Sequence, residues 1–101
     1  MVAKIKIGFV SRQQPESIRL AQMLIYEIEC EGKDTVIFVD EDIAPHIGRE
    51  GTSVAEMERQ NVDFIVSVGG DGTILRTIHK MADPVPILGI NMGTLGFLVD
   101  V

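Results

Sequence analysis

The chain has 101 residues, 46% of them hydrophobic and 24% charged, enough apolar material for one core at the commonest size of a single domain. Nine basic residues against fifteen acidic ones leave a net charge of -6, which argues against a nucleic-acid partner. One cysteine, Cys30, excludes an internal disulfide and fits a reducing cytosol, and no apolar run approaches membrane-spanning length, so the expected location is cytoplasmic and off the membrane.

The amino terminus, Met1 to Val10, reads as a strand rather than a signal peptide. Ile5–Val10 is the first predicted strand. A helix follows, with Pro15 at its first position and Ile18, Ala21, Ile25 and Ile28 on one stripe. Gly32 stops it. Thr35–Val39 is the second strand, and Asp40 to Gly51 reads as an exposed loop. Ser53 and Glu56 have capping-box spacing, which predicts a short helix over Val54–Gln60. Asp63–Val68 is the third strand. Ile74, Leu75, Ile78, Met81 and Ala82 form the apolar stripe of the next helix, with Pro84 as its stop. Val85–Ile90 is the fourth strand, with Pro86 tolerable only near its start or at an edge.

These runs are β-branched and nearly continuous in apolar character, the pattern of strands buried on both faces. Their alternation with helices predicts an α/β fold, a parallel Rossmann-like sheet flanked by helices on both faces. Ligands of such sheets collect at the carboxyl ends of the strands. Three segments lie there: Ser11-Arg12-Gln13, Gly69–Thr73 and Asn91-Met92-Gly93. Six of the ten glycines fall in the last third, and the chain stops at apolar Leu98-Val99-Asp100-Val101. The expectation is one domain over residues 1–101, from a natural polypeptide that continues past Val101.

Gly69-Gly70-Asp71-Gly72-Thr73 carries the chemistry. Glycines allow close backbone approach, and a helix start offers free N–H groups and partial positive charge to an anion. No lysine follows Gly72, so this is not a P-loop, and Leu75 stands where a dinucleotide fingerprint needs its third glycine. The bland alternative is a tight turn with Asp71 as a helix cap, which needs neither the Gly69-Gly70 pair nor Gly72. A carboxylate beside polyphosphate is repulsive unless a divalent cation bridges them or the acid accepts a proton from an attacking hydroxyl. Both arrangements are kinase chemistry. The second cluster, Gly89–Leu98, offers the amide of Asn91 and the aromatic face of Phe97; its bland reading is a turn with Leu95, Phe97 and Leu98 buried.

Gly69-Gly70-Asp71-Gly72-Thr73 followed by Asn91-Met92-Gly93-Thr94-Leu95-Gly96-Phe97-Leu98 resembles the NAD kinase family. The first motif alone is shared with diacylglycerol and sphingoid-base lipid kinases and, more loosely, with 6-phosphofructokinases; the second is far more specific. The resemblance covers essentially the whole chain and implies the family's amino-terminal, phosphofructokinase-like α/β domain. It implies phosphorylation of the adenosine-ribose 2′-hydroxyl of NAD to give NADP, from ATP or inorganic polyphosphate, with Mg²⁺ or another divalent cation. By position, Asp71 would be the proton acceptor and, with Gly72, contact NAD. Arg76 would contact the dinucleotide, Phe97 would line the adenine pocket, and Gly70, Thr73 and Asn91 would belong to the phosphate and nucleotide loops. No metal ligand is assigned. Family members also carry a carboxy-terminal β-rich domain, with an Asn-Glu motif and much of the homo-oligomer interface; nothing here corresponds to it, so little kinase activity is expected from these residues alone.

The alternatives are a lipid kinase with the same first motif and a non-catalytic nucleotide-binding module. A phosphoacceptor receiver domain fails because Val10-Ser11-Arg12 supplies no acidic residue at the first strand end. Arg12 could meet a phosphate or be an ordinary loop arginine. His79 and His46 read as surface or partly buried residues, Cys30 between Glu29 and Glu31 as an inert thiol, and Met23, Met57, Met81 and Met92 as core or helix-face residues.

Overall fold

The computed structural model describes residues 4–32 and 34–91, and the backbone of residues 97–100. The first apolar run forms β1 (Ile5–Ser11). Helix α1 (Pro15–Glu31) begins with the proline at its first position, as predicted. Gly32 ends it in an extended conformation, where an added Cβ would lie 2.5 Å from Thr35 Oγ1. Strand β2 (Thr35–Asp40) leads through a 3₁₀ turn, Ala44–Ile47, to the short strand β3 (Gly51–Thr52). Helix α2 (Val54–Arg59) is capped by Ser53, whose hydroxyl accepts from the Glu56 amide at 3.1 Å. Strand β4 (Phe64–Gly69), helix α3 (Asp71–His79) and strand β5 (Ile87–Asn91) follow, then β6 (Phe97–Asp100).

The strands form one sheet in the order β3-β2-β1-β4-β5-β6. All neighbours are parallel except β5 and β6, which are antiparallel with Ile90 opposite Phe97. Helix α1 covers one face, where Ala21 and Ile25 pack on Phe9, Val39, Val66 and Val68. Helices α2 and α3 cover the other, where Val54, Met57 and Ile74 meet Val10, Ile65 and Ile87. Each fully buried aliphatic or aromatic side chain contributes about 1.5–3 kcal/mol by transfer from water, so both layers drive folding.

Four expectations need correction. The loop after β2 is not wholly exposed: Ile43 and Ala44 are core residues, and the segment contains the 3₁₀ turn and ends in β3. The fourth predicted strand begins at Ile87 rather than Val85; Pro86 stays outside it, its carbonyl accepting from the Ile65 amide at 2.9 Å. Helix α3 stops at His79, well short of Pro84. The Glu58 carboxylate captures the Ala82 and Asp83 amides at 3.0 and 2.8 Å, giving those donors partners outside a helix. The sheet is also not purely parallel, because β6 adds an antiparallel edge. No helix among the described residues is long and apolar enough to cross a membrane.

Candidate active site

The chain leaves β1 through α1 toward β2, then returns across the sheet to β4 on the other side of β1. The crossovers therefore diverge between β1 and β4, and the crevice at the carboxyl ends of those two strands is the topological switch point. Register aligns the ends there. Ser11 is opposite Val68 and Gly69 is opposite Asn91, so the three predicted strand-end segments start side by side. The Arg12 amide donates to the Val68 carbonyl at 2.8 Å, carrying the tie between β1 and β4 one residue past the end of β1.

Of the three loop glycines, only Gly69 is required by the fold. Its φ is +151°, a region side chains rarely adopt, and a Cβ there would lie 2.8 Å from Thr73 Oγ1 and 2.9 Å from Arg12 Cβ. Gly70 is extended (φ -158°). Among the described residues, a Cβ at Gly70 or at Gly72 would meet nothing within 4 Å. Their bareness serves no packing among the described residues. It leaves the backbone open to approach from outside.

Asp71 is not a helix cap. Gly70 holds the N-cap position without a side-chain bond, and Asp71 is the first residue of α3. The Asp71 side chain is exposed and, among the described residues, makes no hydrogen bond or ion pair. The Thr73 and Ile74 amides bond back to the Gly70 carbonyl at 3.1 and 3.3 Å, whereas the Asp71 and Gly72 amides have no acceptor among the described residues, as befits a first turn. Thr73 is buried, and Arg76 Nη2 donates to its hydroxyl at 3.4 Å. Thr77 Oγ1 donates to the Thr73 carbonyl at 2.8 Å.

An open groove of about 550 Å³ runs over this helix start, lined by Arg12, Gly70, Asp71, Gly72, Thr73, Leu75, Arg76 and His79. It sets the Asp71 carboxylate among two guanidinium groups and an imidazole, so that basic side chains outnumber the acid locally on an acidic protein. Beside it, toward β2, lies a polar cavity of about 30 Å³, room for about one water, bounded by Asp40, Asp42, Arg76 and Lys80 among others. Asp40 is buried. Burial pushes its carboxyl above the usual aspartate range and the Asp42 charge pushes it further, against the pull of Lys80. Lys80 Nζ is 3.9 Å from Asp42 Oδ2.

The structure thus gathers Gly70, Asp71, Gly72, Thr73 and Arg76 at one groove and sets the Asn91 backbone beside Gly69. Phe97 starts β6; its side chain, and the segment Met92 to Gly96, lie outside the described residues. Arg12, read from sequence as ambiguous, lines the groove, and so does exposed His79. His46 is exposed beside α1, and Cys30 is a free, exposed thiol. Met57 and Met81 are core residues, and Met23 is exposed on α1. Leu75 is a groove residue that the apolar stripe concealed: it is 54% exposed, so it belongs to the site and not to the core. Asp40 was missed because an acid at a strand end reads as a loop residue.

Residues 7–101 match the family described as the ATP-NAD kinase N-terminal domain. The chain is 48% identical over 97 residues to an NAD kinase of Methanosarcina mazei, covering 95% of this chain and 32% of that protein. It is 46% identical over 99 residues to an NAD kinase of Thermococcus kodakarensis, covering 96% of this chain and 35% of the relative. The chain therefore spans about a third of the length of the curated relatives it matches. The crystal structure of yeast NADH kinase complexed with NADH shares the fold, with a TM-score of 0.76 at 21% identity, over 96% of this chain and 32% of that one.

Proposed function

The chain belongs to the NAD kinase family, as its N-terminal domain, and from that premise we propose that it supplies the catalytic loop for phosphorylating the 2′-hydroxyl of the adenosine ribose of NAD. One observation carries the proposal. Asp71 is an exposed carboxylate with no structural partner among the described residues, set between two glycines whose bareness no packing among those residues explains. In this reading the ribose hydroxyl attacks the terminal phosphorus of ATP or polyphosphate. Its proton passes to Asp71 as the new O–P bond forms, and the donor's bridging O–P bond breaks, its electron pair leaving with the shortened donor. Asp71 and Gly72 touch the dinucleotide, Arg76 contacts it further along α3, and Phe97 belongs to the adenine side. Gly70, Thr73 and Asn91 border the phosphates.

The groove fits a divalent cation in one mode. It presents a single carboxylate, and no three metal-ligating side chains gather among the described residues; Mg²⁺ commonly binds through substrate phosphates, waters and few protein oxygens. Carried in on the donor, such a cation would neutralise phosphoryl oxygens. The lipid-kinase alternative shares the first motif only, and the family match over residues 7–101 speaks against it. By the same resemblance the full-length protein is a homo-oligomer.

The test is NADP formation by the full-length protein that carries this chain, with ATP and with polyphosphate, beside a diacylglycerol control. Asp71→Asn should lower kcat by roughly 10²–10⁴, the usual contribution of a positioned base. A variant that keeps the wild-type rate removes the proton-acceptor role; phosphorylation of diacylglycerol instead of NAD removes the proposed substrate.

A further inference from the structure

Arg12 is the guanidinium of the groove that this reading leaves unused. Its backbone is fixed by the bond from its amide to the Val68 carbonyl, and its Cβ packs against the bare face of Gly69. Its side chain is exposed, lines the groove, and has no ion pair or hydrogen bond among the described residues. An arginine that long and flexible, left unpaired on a rigid base in an acidic protein, is available to an anion that the chain itself does not provide.

Resting on the proposed function, we propose that Arg12 binds the terminal phosphates of the phosphoryl donor. Its lack of a side-chain partner separates its task from that of Arg76. Arg12 stands at the amino end of the helix, against Gly69, and lines one groove with Asp71 and Gly72, whose amides have no acceptor among the described residues. Arg76 lies five residues beyond Asp71, but its guanidinium folds back one turn and donates to the Thr73 hydroxyl, so it is partly held by the chain. The group being transferred must lie within reach of the base that deprotonates its attacker. Arg12, whose side chain has no partner among the described residues, is therefore the guanidinium left to meet the transferred phosphoryl group, while Arg76 is partly committed to Thr73. The terminal phosphates of ATP and of inorganic tripolyphosphate are chemically alike, so Arg12 serves either donor. Its charge offsets the negative charge on the phosphoryl oxygens, and no proton moves through it.

The experiment compares wild type, Arg12→Ala, Arg12→Lys and the control Arg19→Ala in the full-length protein. Steady-state kinetics are run with ATP and with tripolyphosphate, and NAD binding is measured by calorimetry. Arg12→Ala should lower kcat/KM for whichever donor the wild type accepts by at least 100-fold, with NAD affinity within twofold. Arg12→Lys should recover part of the loss, because a point charge replaces a fork. Arg19→Ala should match wild type. Retention of donor kcat/KM within threefold, or a loss confined to NAD affinity, overturns the assignment. Thermal melts separate misfolding from either outcome, since the Arg12→Lys variant keeps the backbone tie and the charge. If the wild type phosphorylates another acceptor, the proposed substrate fails while the same donor comparison still scores Arg12.

Discussion

Replacing Gly72 by alanine separates what the fold needs from what the ligand needs. Gly72 is the second residue of α3, its φ is not positive, and a Cβ there has nothing within 4 Å. Alanine is the better helix residue by about 0.5–1 kcal/mol, so Gly72→Ala should unfold at slightly higher denaturant concentration than wild type. Gly69→Ala is the contrast. Its φ of +151° and contacts of 2.8 and 2.9 Å should cost about 1–3 kcal/mol, the usual range for a side chain forced into a sparsely populated conformation. Activity should move the other way at Gly72. A methyl group in the path of the dinucleotide holds it about 1 Å away, and displacements of that size lose on the order of 10²-fold. Urea melts and NADP formation by the full-length protein therefore yield a more stable and less active Gly72→Ala. The reasoning fails if that variant keeps kcat/KM within threefold of wild type. It also fails if the variant is destabilised as much as Gly69→Ala, since Gly72 would then be a structural glycine.

Two further substitutions test the neighbouring interior. Asp40 has its carboxyl raised by burial and by Asp42, so the folded protein holds that proton more tightly than the unfolded chain, and wild-type stability falls as pH rises from about 4 through the folded-state value. Asp40→Asn removes this penalty: its stability relative to wild type should grow between pH 4 and 7 in denaturant melts, and a pH-independent difference would count against the buried-charge account. Ser67 Oγ is buried without a hydrogen-bond partner among the described residues; Ser67→Ala should be neutral or stabilising by about 1 kcal/mol, and a loss of that size in calorimetry would mean the hydroxyl is satisfied.

What could be read from the sequence follows from how local each signal is. Pro15, Ser53 and the β-branched runs act through their own backbone or immediate neighbours, and α1, α2 and the four main strands were legible to within a few residues. Strand β3 was not, because two residues, Gly51 and Thr52, carry no periodicity; only the partner Val39-Asp40 defines them. The end of α3 was misplaced because its stop is a carboxylate on another helix, Glu58, while Pro84 was the only nearby mark. In the site, Asp71 and its glycines were legible as a motif. The difference between Gly69, which the fold needs, and Gly70 and Gly72, which it does not, required the positions of Arg12 and Thr73.

Among the described strands, antiparallel β6 brings the two flanks of the second glycine cluster to the edge that carries the first. Had the chain continued the β-α-β rule after β5, it would have left the strand end through a helix, and the next strand would have begun at the opposite edge of the sheet. Instead Phe97 pairs with Ile90, one residue before the end of β5. Both ends of the segment between Asn91 and Phe97 are therefore pinned at the carboxyl edge, where Asn91 lies opposite Gly69. The reversal in strand direction keeps Asn91 and Phe97, the flanks of the second motif, on that edge. Parallel pairing between β4 and β5 sets Asn91 beside Gly69, and antiparallel pairing between β5 and β6 returns Phe97 to Ile90. A substitution that weakens the β5–β6 pairing without touching the groove should therefore impair the acceptor side before it impairs Arg12. Proline at Val99, opposite Leu88, is such a change, since its fixed φ and missing N–H fit a paired strand poorly. The measurement is the ratio of the two effects: Val99→Pro should weaken NAD binding by calorimetry while leaving tripolyphosphate binding near wild type. Equal loss of both would mean that β6 supports the whole crevice and not one wall of it.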